Sequence, residues 1–471
     1  MSWFNSTNHL ISGDTYKHNQ YFQYPPGTEY MSTYVESRGG DFAATVFFGL
    51  QAYLREYLSK PFTLDDLDEA EDVIRGHGVE FGRQVWLDLL NDHGGYFPIE
   101  IEAIPEGTVI PTSNALIQVI NTDPKYFWVT TYLETALLRA VWYPTTVATM
   151  SWMTKKFIGD MLARTSDHPE MIRGFLCDFG CRGVSSQESA ALGGMAHLVN
   201  FSQSETVPGT AAARKYYGAV RPSASAIHMD HASISSWGPE AEAEQMRYIL
   251  DRKSPIVSLL IDTFDYENTI KNIVGIKLKE QIESYPGLVG IRLDSGDPVE
   301  VTSQSIEWLM AAFGSETNSK GFRVLPPYIR VVQGDGLNLD RLRNVYRELE
   351  RRGLSAENAL CGMGGGLLQQ LDRDTFNFGH KANAICINGE WKGVAKRPVG
   401  TRMKHSKAGR LAVCKVDGDF KTVERSLVSP EENLLVPVFR NGKILRSWDW
   451  EEVVERSERE VPRRYYEEAL G

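Results

Sequence analysis

The sequence predicts an α/β protein built around a parallel β-sheet and accompanied by a second structural layer or domain. The chain has 471 residues, 42% of them hydrophobic, so it can bury a large core and is too long for one ordinary domain. Its middle third repeats short apolar runs, each followed by a helical pattern. Strands about 30–40 residues apart with helices between them are typical of βα units on a parallel sheet.

The first third is predicted to be mainly helical. Residues 41–58 carry apolar side chains at helical spacing, and a second helix begins with Thr63 and Asp66, the pattern of a capping box. Residues 128–147 are apolar on most faces and predict a buried helix. Pro144 is expected to break or kink that helix, because proline has no backbone N–H to donate.

Five apolar runs predict the strands of the parallel sheet. They cover residues 175–176, 256–261, 288–291, 329–332 and 359–361. Polar or glycine residues follow them, namely Asp178, Asp262, Arg292 with Asp294, Asp335, and glycines 364–366. The carboxyl ends of parallel strands meet at one edge of a sheet, where such folds place their active sites. These residues are therefore expected to line the functional site.

The charge distribution points to an anionic small molecule rather than a polymer as the partner. A formal net charge of −11 argues against nucleic acid or an anionic membrane. Residues 391–416 nevertheless contain eight Lys or Arg and no Asp or Glu. This stretch is either a solvated face or a clamp for a multiply charged anion such as pyrophosphate. Residues 450–469 predict an acidic helix.

The chain has the features of a cytoplasmic protein. Its five cysteines are sparse and odd in number, which favours reduced thiols over a disulfide framework. No apolar run follows a basic start, so no signal peptide is expected. No stretch approaches the roughly 18–20 apolar residues of a membrane span, so no membrane partner is expected either.

Several candidate site residues have both a functional and a structural interpretation. Glycines 364–366 suit a loop whose backbone N–H groups cradle a phosphate, or simply a tight turn. Asp262, Asp294 and Asp335 suit binding of ribose hydroxyls or Mg²⁺, whereas a single aspartate after a strand is often a helix N-cap. For three on one edge, the functional interpretation is favoured.

Two histidines lie close together in the sequence, His228 and His231. Their spacing suits metal ligands, but no third ligand is evident from the sequence. The remaining interpretations are a structural histidine and a nucleophilic or acid–base histidine. The residues alone leave these two open.

Read in order, these segments resemble the nicotinamide phosphoribosyltransferases over residues 14–447. The matching motifs include Asp-Phe-Gly-Cys-Arg-Gly-Val-Ser-Ser-Gln-Glu from Asp178, Arg-Leu-Asp-Ser-Gly from Arg292, Gln-Gly-Asp-Gly from Gln333 and Gly-Gly-Gly-Leu-Leu-Gln from Gly364. The resemblance implies an irregular α/β barrel of the type II phosphoribosyltransferases, with a flanking sheet-containing domain built from both chain ends. The expected divisions are 1–165 and 381–471 for the flanking domain and 166–380 for the barrel.

The same resemblance implies a reaction and its participants. Nicotinamide and phosphoribosyl pyrophosphate give nicotinamide mononucleotide and pyrophosphate, in NAD salvage. Mg²⁺ is the implied cofactor and ATP the implied co-substrate, which phosphorylates His231. The implied assembly is a homodimer with active sites at the subunit interface.

The resemblance also implies a role for each matching residue, with no residue assigned as a metal ligand. Phe179 of one subunit and Tyr16 of the other would stack on the pyridine ring. Arg182, His231 and Arg292 would contact the pyrophosphate, with His231, Arg292 and Asp294 as the catalytic group. Contacts to the ribose and phosphate of the mononucleotide would come from Asp294, Gly334, Asp335, Gly365 and Arg373. The basic groups that reach across the dimer would be Arg38, Lys381, Lys396 and Lys404. Asp262 and Gly364 are further expected substrate-binding residues.

Two positions depart from the family pattern. Glu205 stands where the family has an aspartate that accepts the amide N–H of nicotinamide, and Gly379 stands where it often has a serine near the phosphate. We expect Glu205 to accept that hydrogen bond and to repel the carboxylate of nicotinate. The alternatives are a nicotinate phosphoribosyltransferase and a catalytically inactive relative that only binds.

Overall fold

The computed structural model describes residues 8–399 and 405–471. The strands, in chain order, are β1 Thr28–Glu36, β2 Ala44–Val46, β3 Ile99–Ala103, β4 Val109–Pro111, β5 Ala115–Asn121, β6 Leu176–Asp178, β7 Gln203–Ser204, β8 Ile227–His228, β9 Ile256–Leu260, β10 Leu288–Leu293, β11 Glu316–Thr317, β12 Arg323–Val324, β13 Ile329–Gln333, β14 Ala359–Met363, β15 Gly379–Ile387, β16 Glu390–Gly393, β17 Leu411–Val416, β18 Asp419–Glu424, β19 Val436–Arg440 and β20 Lys443–Ile444.

The α-helices are α1 Leu50–Tyr53, α2 Leu64–Gly76, α3 Arg83–His93, α4 Val129–Tyr132, α5 Glu134–Thr165, α6 Gln187–Leu198, α7 Val207–Tyr217, α8 His231–Trp237, α9 Glu242–Leu250, α10 Tyr266–Asn268, α11 Lys279–Glu283, α12 Pro298–Phe313, α13 Leu339–Arg351, α14 Gly365–Leu368, α15 Trp450–Glu458 and α16 Glu467–Leu470. Two π-helical segments, Leu54–Leu58 and Thr269–Lys277, extend α1 and α10.

The described chain divides into two compact units. One contains Met150–Lys215, Ala219–Leu371 and Ala469–Gly471, and is called the barrel unit below. The other contains the residues up to Thr149, together with Tyr216–Gly218 and Asp372–Glu468, and is called the flanking unit.

The barrel unit is built on a parallel sheet in the order β7-β6-β14-β13-β10-β9-β8. Each neighbouring pair in it is parallel. The two edge strands of this sheet, β7 and β8, are connected by a bridge at Ala224. Ala224 pairs with Gln203 of β7 and donates its N–H to the Ser202 carbonyl (2.7 Å), and the chain then continues directly into β8, which ends four residues later. This confirms the predicted α/β barrel class and directs the carboxyl ends of the strands to one edge.

Helices between the strands follow the amphipathic rule. In α13 the buried side chains Leu342, Val345, Tyr346 and Leu349 recur at intervals of three and four residues, which places them on one face. Pro298 begins α12, where its missing N–H costs no hydrogen bond. The sheet core is equally apolar, with Val289, Ile291 and Val331 fully buried.

The flanking unit contains an antiparallel sheet in the order β16-β15-β1-β5-β3-β19-β20. Its central strands come from the first quarter of the chain and its outer ones from the last quarter. Register pairs such as Tyr34 with Lys381 and Ile101 with Phe439 join the two parts. The expectation of a flanking sheet domain built from both chain ends is therefore confirmed.

For the first third of the chain, the predicted helix over residues 41–58 and the predicted break at Pro144 are both wrong, and one contact explains both. Residues 41–58 are not one helix, since β2 precedes a turn at Gly49 with φ of 104° before α1 begins. Pro144 does not break α5, which continues to Thr165. The Pro144 ring packs where a side chain on Gly49 would lie, 2.3 Å from the position of a Cβ atom. Val141 and Val147, on either side of the proline in the sequence, are fully buried, and burial of apolar side chains in this part of α5 offsets the lost backbone hydrogen bond.

Of two further helix predictions, one is confirmed and one is wrong. The capping box at Thr63 and Asp66 is confirmed, with α2 beginning one residue later. The predicted acidic helix over 450–469 is wrong as a single element. It is interrupted between α15 and α16 by Pro462, which introduces a short 3-10 turn at Arg463–Tyr465.

Candidate active site

The carboxyl edge of the barrel sheet brings many of the sequence-predicted site residues to one place. Because the strands are parallel, residues that follow them face the same edge. These are Arg182 and Phe179 after β6, Glu205 after β7, His231 after β8, Asp262 after β9, Arg292 and Asp294 at the end of β10, Gly334 and Asp335 after β13, and Gly364 and Gly365 after β14.

The three aspartates at this edge are not helix caps. The N-caps of α10, α12 and α13 are Asp265, Asp297 and Asn338, whose side chains accept backbone N–H groups of the first turn. Each cap lies three residues after Asp262, Asp294 and Asp335 respectively. The structural interpretation of the three aspartates therefore does not apply, and their carboxylates are left for other contacts.

Phe179 is held between two strand ends. Its backbone N–H donates to the Met363 carbonyl (2.8 Å), and its ring lies directly over Gly362, where an added Cβ would sit 2.4 Å from the ring carbons. The ring meets His228 edge-on, with centroids 5.5 Å apart and an interplanar angle of 81°. One face of a half-exposed aromatic ring is thus fixed at the edge of the sheet.

Glu205 forms a polar cluster beside this ring. Its Oε1 lies 3.2 Å from His228 Nε2 and also accepts a hydrogen bond from the Ser225 hydroxyl. Partial burial raises the pKa of Glu205, but the hydrogen bonds from His228 and Ser225 lower it more, so that its pKa lies below the usual value. The carboxylate is therefore ionised at neutral pH.

A second cluster joins Arg292, Asp294 and His231. Arg292 is buried, donates through Nη2 to the Met229 carbonyl (2.7 Å) and places Nη1 3.4 Å from Asp294 Oδ2. The same carboxylate oxygen lies 3.4 Å from His231 Nε2. His231 Nδ1 contacts Thr263 Oγ1 at 3.0 Å, which fixes the imidazole on both sides.

Asp262 is a buried carboxylate next to this second cluster. Its side chain is 3% exposed, Oδ1 is 3.9 Å from His231 Nε2, and neither carboxylate oxygen has a hydrogen-bond partner among the described residues. A buried carboxylate without hydrogen bonds is costly unless a cation or a donor completes it. Carboxylate oxygens are the ligands that Mg²⁺ prefers, commonly one or two of them together with water and substrate phosphates. Asp262 and Asp294 fit such an ion.

The glycines at the carboxyl edge of the sheet differ in how much space surrounds them. Gly334 allows close approach, since an added Cβ would be 3.3 Å from Asp294 Oδ1, and Gly366 leaves no room for a side chain, with the Leu337 carbonyl at 2.3 Å. Gly365 has open space around the same position. Gly366 is thus explained by packing, whereas open space at Gly365 is compatible with a ligand lying against the backbone.

Several of the remaining predicted residues lie in the flanking unit. Tyr16 is 59% exposed with Lys17 Nζ 5.2 Å from its ring centroid, and Arg373 pairs with its neighbour Asp374. Arg38 donates to the Asn377 carbonyl (3.1 Å). The Lys381 ammonium is 3.5 Å from Glu134, but burial lowers the pKa of Lys381.

The acid-free stretch is only partly described. Lys396 is exposed, and its backbone pairs with Ser406. Lys404 lies outside the described residues. At Gly379 an added Cβ would come within 3.0 Å of the Arg38 guanidinium, so the glycine makes room for that cation.

Sequence reasoning missed the contacts of Glu205 with His228 and Ser225, and the role of Thr263 beside His231. These pairs are 20 or more residues apart and join different loops, so no spacing rule identifies them. Within residues 8–399 and 405–471, no group of three or more His, Cys, Asp or Glu is arranged to hold a metal by itself. None of the helices described is long and apolar enough to cross a membrane.

Similarity to known families and sequences shows which family the chain belongs to. Residues 175–438 match the nicotinate phosphoribosyltransferase (NAPRTase) family, and residues 8–101 match the N-terminal domain of nicotinamide phosphoribosyltransferase. The chain is 43% identical to a nicotinamide phosphoribosyltransferase of Xanthomonas campestris, over 95% of this chain and 97% of that protein. A nicotinamide phosphoribosyltransferase of Acinetobacter baylyi is 28% identical, with the same shares covered.

Two solved structures share the fold. Nicotinate-nucleotide pyrophosphorylase from Pyrococcus furiosus matches with a TM-score of 0.62 and 15% identity, covering 97% of this chain and 96% of that one. Human nicotinic acid phosphoribosyltransferase matches with a TM-score of 0.56 and 17% identity, covering 95% and 93%. At these identities the likeness concerns the fold alone.

Proposed function

The chain belongs to the nicotinate phosphoribosyltransferase family, and from this premise we propose that it joins nicotinamide to phosphoribosyl pyrophosphate. The products are nicotinamide mononucleotide and pyrophosphate. The observation that carries this proposal is the ionised Glu205 carboxylate close to the Phe179 ring. His228 contacts both the carboxylate and the ring. A carboxylate at that position accepts the N–H of a carboxamide and repels the carboxylate of nicotinate.

The reaction breaks one bond to carbon and forms another. The bond from the anomeric carbon to the pyrophosphate oxygen breaks, and the pyridine nitrogen attacks the same carbon from the opposite face, becoming a pyridinium. That nitrogen carries no proton to lose, so the enzyme needs no strong base. Arg292 and Arg182 stabilise the charge that develops on the departing pyrophosphate. Stacking on Phe179 orients the ring for attack.

Asp262 and Asp294 are the residues proposed to hold Mg²⁺. The buried Asp262 carboxylate, which lacks a hydrogen bond to any described residue, supports this role. When bound, the ion neutralises part of the pyrophosphate charge. The neighbouring Asp294 has a second task, since it also contacts Arg292 and His231 and so fixes their orientation.

ATP is proposed as a co-substrate that acts through His231. Transfer of the γ-phosphoryl group to the imidazole releases ADP, and later hydrolysis of the phosphohistidine releases phosphate. His231 suits this role because it is 49% exposed, so a phosphate donor can reach it. Thr263 and Asp294 hold the ring in one orientation through its two nitrogens.

A homodimer is proposed as the active form, with Tyr16, Arg38, Lys381, Lys396 and Lys404 reaching the partner's site. Arg373 is proposed to contact the mononucleotide. The exposed Tyr16 ring supports this assembly, because an exposed aromatic ring suits stacking on the pyridine ring of the substrate. In this arrangement the pyridine ring stacks between Phe179 of one subunit and the Tyr16 ring supplied by the other.

Product analysis by mass spectrometry tests the function. Nicotinamide and nicotinate are offered in parallel with phosphoribosyl pyrophosphate and Mg²⁺, each with and without ATP. Nicotinamide mononucleotide as the main product, increased by ATP, is the expected outcome. Mainly nicotinate mononucleotide would identify a nicotinate enzyme. Failure to release pyrophosphate with either base would identify an inactive relative.

A further inference from the structure

We propose that His228 is a positioning residue that sets the preference for the amide over the acid. Together with Ser225 it fixes Glu205 so that the second carboxylate oxygen, Oε2, faces the carboxamide of the substrate. This inference rests on the proposed function and concerns the same pocket. It assigns a role to a histidine that the sequence left between a structural and a chemical interpretation.

The two oxygens of the Glu205 carboxylate differ in their hydrogen-bond partners. Both donors reach the same atom, Oε1: His228 Nε2 at 3.2 Å and the Ser225 hydroxyl. Among the described residues, no hydrogen bond or ion pair to Oε2 is found. A carboxylate accepts hydrogen bonds on both oxygens, so one oxygen is occupied by the protein and the other is left for a ligand.

The contact with Glu205 fixes which imidazole nitrogen of His228 donates a hydrogen bond. An ionised carboxylate only accepts hydrogen bonds, so the proton lies on Nε2 of His228. Nδ1 is buried and has no hydrogen-bond partner among the described residues. A second proton there would be a buried donor without an acceptor, which is unfavourable. The hydrogen bond from Nε2 leaves the Glu205 carboxylate ionised, and this carboxylate carries the negative charge that repels nicotinate.

Neighbouring residues restrain both His228 and Glu205. His228 ends β8, where it pairs with Ser258, and its ring meets the Phe179 ring edge-on. Glu205 has one more rotatable bond than an aspartate and loses more side-chain freedom when it is fixed. Two donors on Oε1 provide that restraint. The same histidine thus links the ring that stacks on the pyridine to the carboxylate that recognises its amide.

Two substitutions of His228 distinguish the effect of its hydrogen bond to Glu205 from the effect of its packing. His228→Leu fills the space and removes the donor, whereas His228→Gln restores a donor that can reach Glu205. We expect the leucine variant to raise KM for nicotinamide by about tenfold or more, with kcat changed less than about twofold, because a hydrogen bond to a charged group is lost. The nicotinamide-to-nicotinate ratio of kcat/KM falls by a similar factor, and the glutamine variant recovers part of it.

A pH profile distinguishes positioning from a merely structural role. His228 lowers the pKa of Glu205, so its loss moves the acid-side decline of 1/KM for nicotinamide to higher pH. The other charged or titratable groups near Glu205 are Arg292, Asp178 and the Cys177 thiol. These are unchanged in the variant, so the shift reports on His228.

His93→Leu is the matched control, since His93 pairs with Asp123 (2.9 Å) and is 22% exposed, against 19% for His228. It leaves KM and the pH profile unchanged. An unchanged selectivity ratio and pH profile in a folded His228→Leu enzyme would overturn the inference. If the parent enzyme makes no nicotinamide mononucleotide, the proposed function itself fails, which is a separate outcome measured before any variant. Calorimetric titration with nicotinamide measures the same loss of affinity without turnover.

Discussion

At the scale of single residues, Arg292 combines a buried position with two firm contacts. It donates to the Met229 carbonyl and faces Asp294, so its guanidinium is oriented before any substrate arrives. An oriented cation in a partly dry site stabilises developing negative charge better than one in water. This preorganisation is what the departing pyrophosphate requires.

Arg292→Ala is expected to lower kcat/KM for phosphoribosyl pyrophosphate by about 10²-fold or more, since removal of one oriented donor commonly costs that much. Steady-state kinetics with a circular dichroism spectrum measures it. Arg343→Ala serves as the control, because Arg343 likewise donates to a carbonyl, that of Ala469 (2.8 Å), and to the carboxylate of Asp340 (2.8 Å). Turnover near the parent value in the Arg292 variant would remove this residue from the mechanism.

Asp262→Asn tests the Mg²⁺ proposal with almost no change of shape. An amide is a weaker ligand for a divalent cation than a carboxylate, so half-maximal activity should need about tenfold more Mg²⁺. A titration of activity against Mg²⁺ concentration measures the shift. Asp297→Asn is its counterpart, because asparagine caps α12 as well as aspartate does, and there the Mg²⁺ dependence stays as in the parent. Equal shifts in both variants would contradict a specific role for Asp262.

At the scale of elements, Gly362 near the end of β14 makes room for the Phe179 ring, because it has no side chain. Gly362→Ala would place a methyl group 2.4 Å from the ring, which must then move. We expect a rise in KM for nicotinamide of at least about tenfold, because misplacing an orienting group by about 1 Å commonly costs more than that. Gly159→Ala in α5, where nothing lies within 4 Å, is the control. An unchanged KM in the first variant would show that the ring position does not matter.

The pairing of β1 with β15 encloses a histidine whose charge state is fixed by burial. His380 lies 2.9 Å from Thr33 Oγ1, and burial lowers its pKa to about 4, although Glu134 partly opposes this. Between the unfolded value of about 6.5 and the folded value of about 4, the unfolded chain binds the proton and the folded chain does not. Stability therefore falls as pH falls through this window.

The free energy of unfolding of the parent protein falls between pH 7 and pH 5, and His380→Gln should reduce this fall by about 2 kcal/mol. The figure follows because one such group contributes about 1.4 kcal/mol per pH unit between its unfolded and folded pKa values. Urea unfolding followed by circular dichroism at both pH values measures the difference from the parent. His18, whose pKa burial also lowers to about 4, keeps its share of the pH dependence. Substitution of the exposed His77 leaves the difference between the two pH values unaltered. An equal loss in parent and His380→Gln protein would refute the assignment.

The elements that sequence alone located are those with local signals. The capping box at Thr63 and the apolar strands of the barrel depend on neighbours within a few residues, and both appear as predicted. The helical spacing of residues 41–58 was overridden by the contact of Gly49 with Pro144, which lies about 95 residues away. Edge residues such as Asp262 could be placed from strand ends, whereas the contact of Glu205 with His228 depends on how separate loops meet.

At the scale of the whole molecule, the proposed dimer makes a prediction about shared sites. Tyr16→Ala and Arg292→Ala are each expected to be nearly inactive as homodimers. A heterodimer of the two, isolated with a different tag on each chain, has one site with both residues intact. It should recover about half of the parent activity, because a two-fold dimer contains two equivalent sites. Recovery of no activity would place Tyr16 and Arg292 of a functional site in the same subunit.

The interleaved origin of the antiparallel sheet has a consequence for the timing of synthesis. β1, β5 and β3 leave the ribosome early, but β15 and β19, which cover their two outer edges, follow roughly 250 residues later. At about 5–20 residues per second that interval lasts on the order of 10 to 50 seconds. During it, two strand edges are exposed to other nascent chains. Chaperone demand should therefore be greatest while the barrel segment is being translated, and slower elongation there should increase aggregation.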